Sequence, residues 1–259
     1  MKWFWPSLVL VSLSTVGVAN PIVRTVETNQ ALQLVDIATN TDSNLWSTPF
    51  ATDSLAIDLG GSLYSADPNG VIFNVTTPIA TPVGPTGFTQ IGDLDFAPGG
   101  LWGFSNASQS LFFYDLGSTS VTYSVNLSSL SGSTVTGVAY DPSSAAVYLS
   151  ANAGFNADQL YVVPNAASSA TFVGNMAHAD AGSYISDIDF DGSGTLYAMT
   201  WFHRDFYSVN PLNGATSLIS NGPHRDVTGL AIDASVVPEP GSLLALGGGL
   251  VLLRRRQSR

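Results

Sequence analysis

A short strand pattern, in which apolar residues alternate with polar or small ones, recurs five times along the chain. Its anchor residues are Ile57, Phe96, Tyr140, Phe190 and Ile232, which lie 39, 44, 50 and 42 residues apart. Alternation of this kind is typical of a β-strand with one buried face. The regular recurrence indicates a repeat architecture built from one supersecondary unit.

Each complete copy contains the material for four short strands. After the first strand, a turn precedes a second strand, which begins at Leu63, Leu101, Val147 or Leu196. Third strands begin at Ile72, Leu111, Leu160 and Phe206, and fourth strands include residues 171–173 and 216–219. Four short antiparallel strands per repeat are typical of the blade of a β-propeller. The pattern therefore predicts an all-β fold of this kind.

The number of copies predicts how the ring closes. Five first strands are present, but only four have a complete blade behind them, and the last (residues 227–233) leads directly into the C-terminal segment. Near the N-terminus, residues 22–26, 32–36 and 44–47 match second, third and fourth strands. We therefore predict five blades, the fifth closed by both chain ends, which removes exposed sheet edges. The alternative is a β-sandwich of the same strands.

The first 19 residues have the three parts of a secretory signal peptide. Lys2 supplies a positive charge, an apolar run follows, and small residues precede a cleavage site between Ala19 and Asn20. Signal peptidase is the partner that this segment predicts. The alternative is a buried N-terminal strand or helix.

The C-terminal segment has the pattern of a second targeting signal, with three parts in order. The motif Pro238, Glu239 and Pro240 comes first, an apolar run reaches residue 253, and Arg254, Arg255 and Arg256 follow. The run is short against the roughly 20 residues that a helix needs to span a bilayer, and we predict a short apolar helix that tethers the chain to the membrane. The arginines after it predict a cytoplasmic C-terminus, with the body of the protein outside.

This tail resembles the PEP-CTERM sorting signal of Gram-negative bacteria. The resemblance implies recognition of the Pro-Glu-Pro motif by an exosortase, a stop signal at the arginine cluster, and an organism that makes extracellular polysaccharide. It also implies export across the inner membrane, transient anchoring by the tail, and delivery to the cell surface or beyond. The alternative is an ordinary C-terminal anchor. The chain then divides into a signal peptide (1–19), a propeller (20–235) and a sorting tail (236–259).

Charge and composition narrow the function classes. Residues 20–237 carry three basic residues against eighteen Asp and Glu, so this segment repels phosphate backbones and nucleic acid is excluded as a partner. The chain has no cysteine, which removes disulfides, thiolate nucleophiles and cysteine-ligated metal sites. It also lacks the nucleophile-elbow, P-loop, dinucleotide-binding and zinc-protease motifs. These absences favour a protein that is not an enzyme.

One segment has the spacing of a calcium loop. Asp187, Asp189 and Asp191 precede Gly192 as in the first half of an EF-hand, but position 12 of that loop is Ala198. The ordinary interpretation is a first strand with its turn. No cofactor is predicted firmly; calcium or another divalent cation at the three aspartates is the candidate, because crowded carboxylates need neutralisation or raised pKa values.

All three histidines occur as His-x-Asp, in loops that the propeller prediction places on one face around the fourth blade. The predicted ligand-binding residues are His178, Asp180, Trp201, His203, Arg204, Asp205, His224, Arg225 and Asp226. Arginine and aspartate would bind the carboxylate and hydroxyls of a sugar while Trp201 stacks on its ring, or His and Asp would hold a divalent metal. An insertion at residues 152–158 is expected beside them. The plainer alternative is that loops collect polar residues and each histidine bonds its neighbouring aspartate.

Two functions remain open at this point. The first is a non-enzymatic surface or matrix protein whose propeller binds a polysaccharide or another surface protein. The second is a secreted, metal-assisted polysaccharide hydrolase or lyase, which histidine and aspartate on one face would serve. Propellers host both classes, so the predicted fold does not choose between them.

Overall fold

The computed structural model describes residues 22–27, 30–154, 158–164, 167–180 and 182–232. In these ranges the chain forms twenty β-strands and one short 3-10 helix, Ser128–Leu130. The predicted signal peptide, the Ala19–Asn20 cleavage site, the sorting tail and its apolar helix lie outside the described residues.

The strands form five separate four-stranded sheets, in which neighbouring strands are antiparallel. Blade 1 contains β4 (Ala56–Ile57), β5 (Leu63–Ala66), β6 (Val71–Asn74) and β7 (Thr81–Pro85). Blade 2 contains β8 (Ile91–Ala97), β9 (Gly100–Ser105), β10 (Ser110–Asp115) and β11 (Ser120–Asn126). Blade 3 contains β12 (Thr134–Asp141), β13 (Ala146–Asn152), β14 (Asp158–Val163) and β15 (Thr171–Asn175). Blade 4 contains β16 (Ile185–Phe190), β17 (Leu196–Thr200), β18 (Phe206–Val209) and β19 (Thr216–Ser220).

Blade 5 joins the two ends of the described chain. It contains, from the inside outwards, β20 (Val227–Ile232), β1 (Ile22–Glu27), β2 (Ala31–Asp36) and β3 (Thr41–Ser47). The C-terminal strand β20 pairs with β1 in antiparallel register, so that Val23 lies opposite Ile232. The predicted blade closed by both ends is confirmed. Five separate sheets in a ring exclude the β-sandwich alternative.

The hydrophobic core is divided into five clusters, one between each pair of neighbouring blades. Between blades 3 and 4, Leu160 packs in one cluster with Ile188 and Leu196. Between blades 5 and 1, Val26 packs in one cluster with Leu55. The other three clusters join blades 1 and 2, blades 2 and 3, and blades 4 and 5. Each blade therefore buries apolar surface on both sides, which is what holds a closed ring together.

Burial decreases from the axis of the ring outwards. Every residue of the inner strands β16 and β20 is buried, whereas the outer strand β11 alternates exposed and half-buried residues. The five inner strands are β4, β8, β12, β16 and β20, and each contacts the inner strands of the two adjacent blades. Because every blade repeats the same strand order, all five inner strands begin at one face of the ring. We call the centre of that face the mouth.

Candidate functional site

The mouth is a depression to which all five blades contribute. Its central part has a volume of about 130 Å³. The lining residues are Asp53, Gly92, Asn106, Thr134, Val135, Thr136, Tyr184, Ser186 and Thr228. Nearly all of them lie just before, or at the start of, an inner strand, so the repeat itself places them around the axis.

Two further depressions extend the mouth sideways into a trench. One, of about 390 Å³, continues over blades 1 and 2 and shares Asp53 and Asn106 with the centre. The other, of about 320 Å³, shares Thr136 and Tyr184 with the centre and reaches Asn152. Asn152 belongs to the insertion predicted at residues 152–158, so the described part of that insertion does lie at the mouth.

Most hydroxyl and amide donors of the mouth are already used inside the protein. The Thr136 hydroxyl donates to the Ile185 carbonyl at 2.7 Å, and the Ser186 hydroxyl donates to the Met199 carbonyl at 3.1 Å. The Asn106 side-chain amide donates to the Val135 carbonyl at 2.8 Å. These bonds tie neighbouring segments together at the mouth, where Asp53 is the carboxylate that lines the central part.

Tyr184 stands among three carboxylates. Its ring stacks on Trp201, with centroids 5.4 Å apart and planes 12° from parallel. Burial, together with the charges of Asp53, Asp158 and Asp226, raises the pKa of Tyr184 to about 12. Burial also raises the pKa of Asp53 above its ordinary value. The phenol therefore stays protonated at neutral pH.

The three His-x-Asp loops contact one another through His203, His224 and Asp180. The His203 ring lies 5.3 Å from the His224 ring, and Phe202 lies 3.9 Å from His224, measured between centroids. His203 Nδ1 is 2.6 Å from Asp180 Oδ1, and the His203 side chain is 40% exposed. Hydrogen bonds from His203, Ser183 and Thr200 outweigh the opposing effect of burial and lower the pKa of Asp180. His203 thus bonds an aspartate of a different loop from its own.

Arg204 occupies a different place from the exposed rim predicted for it. Its side chain is completely buried between blades 4 and 5. The guanidinium donates to Asn40 Oδ1 at 2.9 Å, to Gln33 Oε1 at 2.8 Å and to Asp42 Oδ1 at 3.1 Å. The Arg204 carbonyl in turn accepts a hydrogen bond from the Asn40 side chain at 2.9 Å. Arg204 therefore fastens the N-terminal strands β2 and β3 to blade 4 and cannot meet a ligand at the surface.

The other predicted rim residues divide into half-exposed and buried groups. The Arg225 side chain is 35% exposed and pairs with Asp42 at 3.0 Å. Asp205 is buried, and its carboxylate accepts the Gly222 amide at 2.8 Å. In the described part of the chain, no donor reaches Asp226 Oδ1, which is itself buried. Both predicted arginines, Arg204 and Arg225, are therefore held by Asp42.

His178 and its partner Asp158 form a buried pair beneath the rim. His178 Nε2 lies 2.8 Å from Asp158 Oδ2, and each side chain is 1% exposed. Burial raises the pKa of Asp158, although the hydrogen bond with His178 acts in the opposite direction. Within the described residues, Asp158 Oδ1 and His178 Nδ1 have no hydrogen-bond partner. The pair supports the loop before β16 and is closed to a ligand of any size.

Four buried aspartates, Asp93, Asp95, Asp187 and Asp189, lie among the inner strands at the centre of the ring, a region that we call the channel. Asp93 Oδ2 accepts the Val138 amide at 2.7 Å and Asp95 Oδ2 accepts the Tyr140 amide at 2.5 Å, both in β12. In the same way, Asp187 Oδ2 accepts the Leu230 amide at 2.5 Å and Asp189 Oδ2 accepts the Ile232 amide at 2.6 Å, both in β20. An inner strand is a sheet edge with unpaired amides. The aspartates of blades 2 and 4 satisfy these amides in blades 3 and 5.

The four carboxyl groups are too crowded for all to be ionised. Burial raises the pKa of each, and it raises that of Asp95 to about 7. The nearby charges of Asp93 and Asp189 also raise the pKa of Asp187, and Asp93 Oδ1 has no hydrogen-bond donor among the described residues. Between Asp93 of blade 2 and Asp187 of blade 4 lies Gly137 of blade 3, where a Cβ atom would be 2.9 Å from Asp187 Oδ1 and 2.6 Å from the Ile188 nitrogen. Glycine at this position lets the inner strand β12 approach β16 closely.

The three aspartates of the predicted calcium loop have different positions and hydrogen-bond partners. Asp187 and Asp189 belong to the channel, whereas the Asp191 carboxylate accepts the amides of Ser193 and Thr195 in the turn after β16. Over the described ranges, no group of three or more His, Asp or Glu side chains is arranged to hold a metal ion. The divalent-cation hypothesis gains no support from this geometry and stays a prediction. Likewise, no helix within those ranges is long and apolar enough to cross a membrane.

Sequence reasoning missed the residues at the centre of the mouth, above all Asp53, Asn106 and Tyr184. Each precedes or follows a strand by one to three residues in its repeat. For Asp53 and Tyr184, the position just before a first strand is the sequence signal that could have found them, whereas Asn106 follows the second strand β9. The His-x-Asp motifs predicted a site at the rim around blade 4 instead.

Comparison with known proteins supports the fold. No protein family and no curated protein matches the chain. Among solved structures, one chain from a crystal structure of a nidogen/laminin complex has a TM-score of 0.53 and 13% sequence identity, covering 84% of this chain and 86% of that chain. At this identity the likeness concerns the fold alone. The blades, the core clusters and this likeness together define a five-bladed β-propeller.

Proposed function

We propose that this is an exported protein, sorted by an exosortase-type system, whose propeller is a non-enzymatic binding module of the cell surface or the extracellular polysaccharide matrix. The observation that supports binding most directly is the trench at the mouth, which all five blades form. A concave site of this kind, with a few converging polar groups, is where a ligand is expected. The solved chain of similar fold comes from a nidogen/laminin complex, so a propeller in that case takes part in a protein assembly.

The direction of the last strand suits this role. β20 begins at the mouth with Val227 and ends at the opposite face with Ile232. The sorting tail follows in the sequence. The described chain therefore ends at the face opposite to the mouth.

One experiment on the protein purified from its host distinguishes a binding function from a catalytic one. We expect the protein to bind the extracellular polysaccharide of that host in a co-sedimentation assay, while size-exclusion chromatography shows no shortening of the polymer. Shortened polymer would favour the metal-assisted hydrolase or lyase alternative. Absence of binding to the matrix would contradict the proposal.

Sorting by the tail is tested in the native host. Replacing Glu239 and Pro240 with alanine is expected to block tail removal and surface delivery, because the Pro-Glu-Pro motif is the proposed recognition element. Deleting Arg254, Arg255 and Arg256 is expected to weaken retention of the precursor in the membrane. Western blots of cell fractions report both. Normal processing and delivery of the alanine variant would contradict exosortase sorting.

A further inference from the structure

Two solvent-accessible histidines lie side by side at the loops of blades 4 and 5. The ring centroids of His203 and His224 are 5.3 Å apart, and the ring planes are nearly perpendicular, at 88°. His224 is exposed, and the side chain of His203 is 40% exposed. The third histidine of the chain, His178, is buried against Asp158. One ion from solvent can therefore approach both accessible imidazoles.

Backbone contacts hold the two loops that carry these histidines against each other. The Arg225 amide donates to the Phe202 carbonyl at 2.9 Å, and Asp205 Oδ1 accepts the Gly222 amide at 2.8 Å. Each histidine lies between the two bonded positions of its own loop. At Gly222, a Cβ atom would be 2.1 Å from the His203 carbonyl oxygen, so glycine permits this close approach. The positions of both histidines are thus fixed by the fold, as a binding site requires.

Asp180 orients the ring of His203. His203 Nδ1 lies 2.6 Å from Asp180 Oδ1, and the His203 amide donates to Asp180 Oδ2 at 3.3 Å. Against the effect of burial, hydrogen bonds, above all the one from His203, lower the pKa of Asp180, so this carboxyl is ionised and acts as the acceptor. Nδ1 therefore carries the proton, and Nε2 keeps its lone pair. A carboxylate placed behind a histidine in this way is the usual arrangement in metal sites.

Phe202 packs against both imidazoles. Its ring centroid is 5.1 Å from that of His203 and 3.9 Å from that of His224, and it meets both rings edge to face. These contacts limit the orientations that the two rings can take. In the part of the chain that the structure describes, no hydrogen bond engages a ring nitrogen of His224. Each histidine therefore offers a nitrogen to an ion.

We propose that His203 and His224 form a two-histidine site for a divalent transition-metal ion, with Zn²⁺ as the expected ion. Two imidazoles that bind one tetrahedral zinc ion have centroids about 5 Å apart, because each Zn–N bond is about 2 Å long. The observed separation of 5.3 Å agrees with this value. Imidazole nitrogen favours zinc, copper and nickel, whereas calcium and magnesium prefer oxygen ligands.

The site is open on its solvent side. Within the described ranges, no group of three or more His, Asp or Glu side chains is arranged around one ion. Water, or a donor atom of a bound partner, would fill the remaining positions. His203 and His224 do not line the trench. The inference therefore goes beyond the proposed polysaccharide binding and does not depend on it.

Zinc titration by calorimetry tests the site, with protein purified from its host and freed of metal with EDTA. We expect one zinc ion per chain and no competition from excess calcium. In His203→Ala and in His224→Ala, the affinity should fall roughly tenfold or more, because the second imidazole of the native pair binds as an intramolecular ligand. His178→Gln is the matched control, since it removes the buried histidine, and it should keep the native affinity. Thermal unfolding without metal checks that each variant is folded.

Copper provides a measurement that needs no variant. With less than one equivalent of Cu²⁺, the electron paramagnetic resonance spectrum of the native protein should show coupling to two imidazole nitrogens. Unchanged zinc affinity in both alanine variants overturns the inference, as does an equal loss in folded His178→Gln. Displacement of zinc by calcium, or a copper spectrum without nitrogen coupling, also overturns it. The contact between His203 and His224 is then aromatic packing alone.

Discussion

Replacing Arg204 with alanine is expected to destabilise the protein by roughly 3 kcal/mol, because removing one partner from a buried ionic cluster leaves the others without compensation. Asn40 and Gln33 lose their guanidinium contacts, and both belong to the N-terminal part of blade 5. For a protein of this size, the loss corresponds to a fall in Tm of roughly 6–12 °C. Thermal and urea unfolding measure it.

Arg225→Ala is the matched control, because Arg225 pairs with the same Asp42 but is 35% exposed. We expect this variant to lose no more than about 1 kcal/mol, as exposed ion pairs do. Arg204→Lys should recover only part of the loss, since an ammonium cannot reach several fixed acceptors as the guanidinium fork does. A similar stability of Arg204→Ala and the native protein would contradict a role in fastening blade 5.

The second large effect is a fall in stability as the pH rises from about 5 to about 8. In the folded protein, burial raises the pKa values of Asp93, Asp187 and Asp189 well above their ordinary value and that of Asp95 to about 7. An unfolded aspartate titrates near 3.9, so between these values the folded state holds more protons than the unfolded state. Stability therefore decreases as these protons are lost. For Asp95 alone, the whole shift corresponds to roughly 4 kcal/mol, of which roughly 3 kcal/mol is lost between pH 5 and pH 8.

Neutral variants identify the source of this pH dependence. Asp95→Asn and Asp189→Asn keep one carbonyl acceptor for the amide of the next blade but cannot ionise. We expect both to be less stable than the native protein at pH 5 and to lose less stability between pH 5 and 8. Asp191→Asn, in the turn below the channel, should keep the native profile. A native protein that gains stability from pH 5 to 8 would show that the channel carboxyls are not protonated.

The sequence predicted the blades because their signal is local. Period-two alternation identifies each strand, and the count of five first strands against four complete blades requires that the N-terminus supply the rest. In the folded protein, the apolar residues of these same strands form the hydrophobic core. The departure of Asp95 and Asp189 from the alanines at the same position in the other repeats was also visible in the sequence, and it marks the channel.

The partners of the charged side chains could not be predicted in the same way. Arg204 bonds Asn40, from which 164 residues separate it, and Asp187 meets Asp93 across blade 3. Such contacts depend on how one blade packs against the next. The alternation of apolar and polar residues along a strand does not determine this packing. For the same reason, the alternative in which each histidine bonds the aspartate of its own motif is wrong for His178 and His203, which bond Asp158 and Asp180. The histidines, arginines and aspartates of the sequence predicted a polar face. Which of these side chains are buried and which are exposed depends on the packing of the loops.

The central claim is that this propeller binds its matrix ligand at the mouth of the ring. Hydrogen exchange of the protein with and without the host polysaccharide tests it most directly, since peptides from both faces are compared in one experiment. We expect protection in the segments that line the trench, residues 51–54, 90–92, 134–136, 184–186 and 226–228. Protection confined to the turns of the opposite face, residues 58–62, 97–100, 141–146 and 191–195, would contradict the claim.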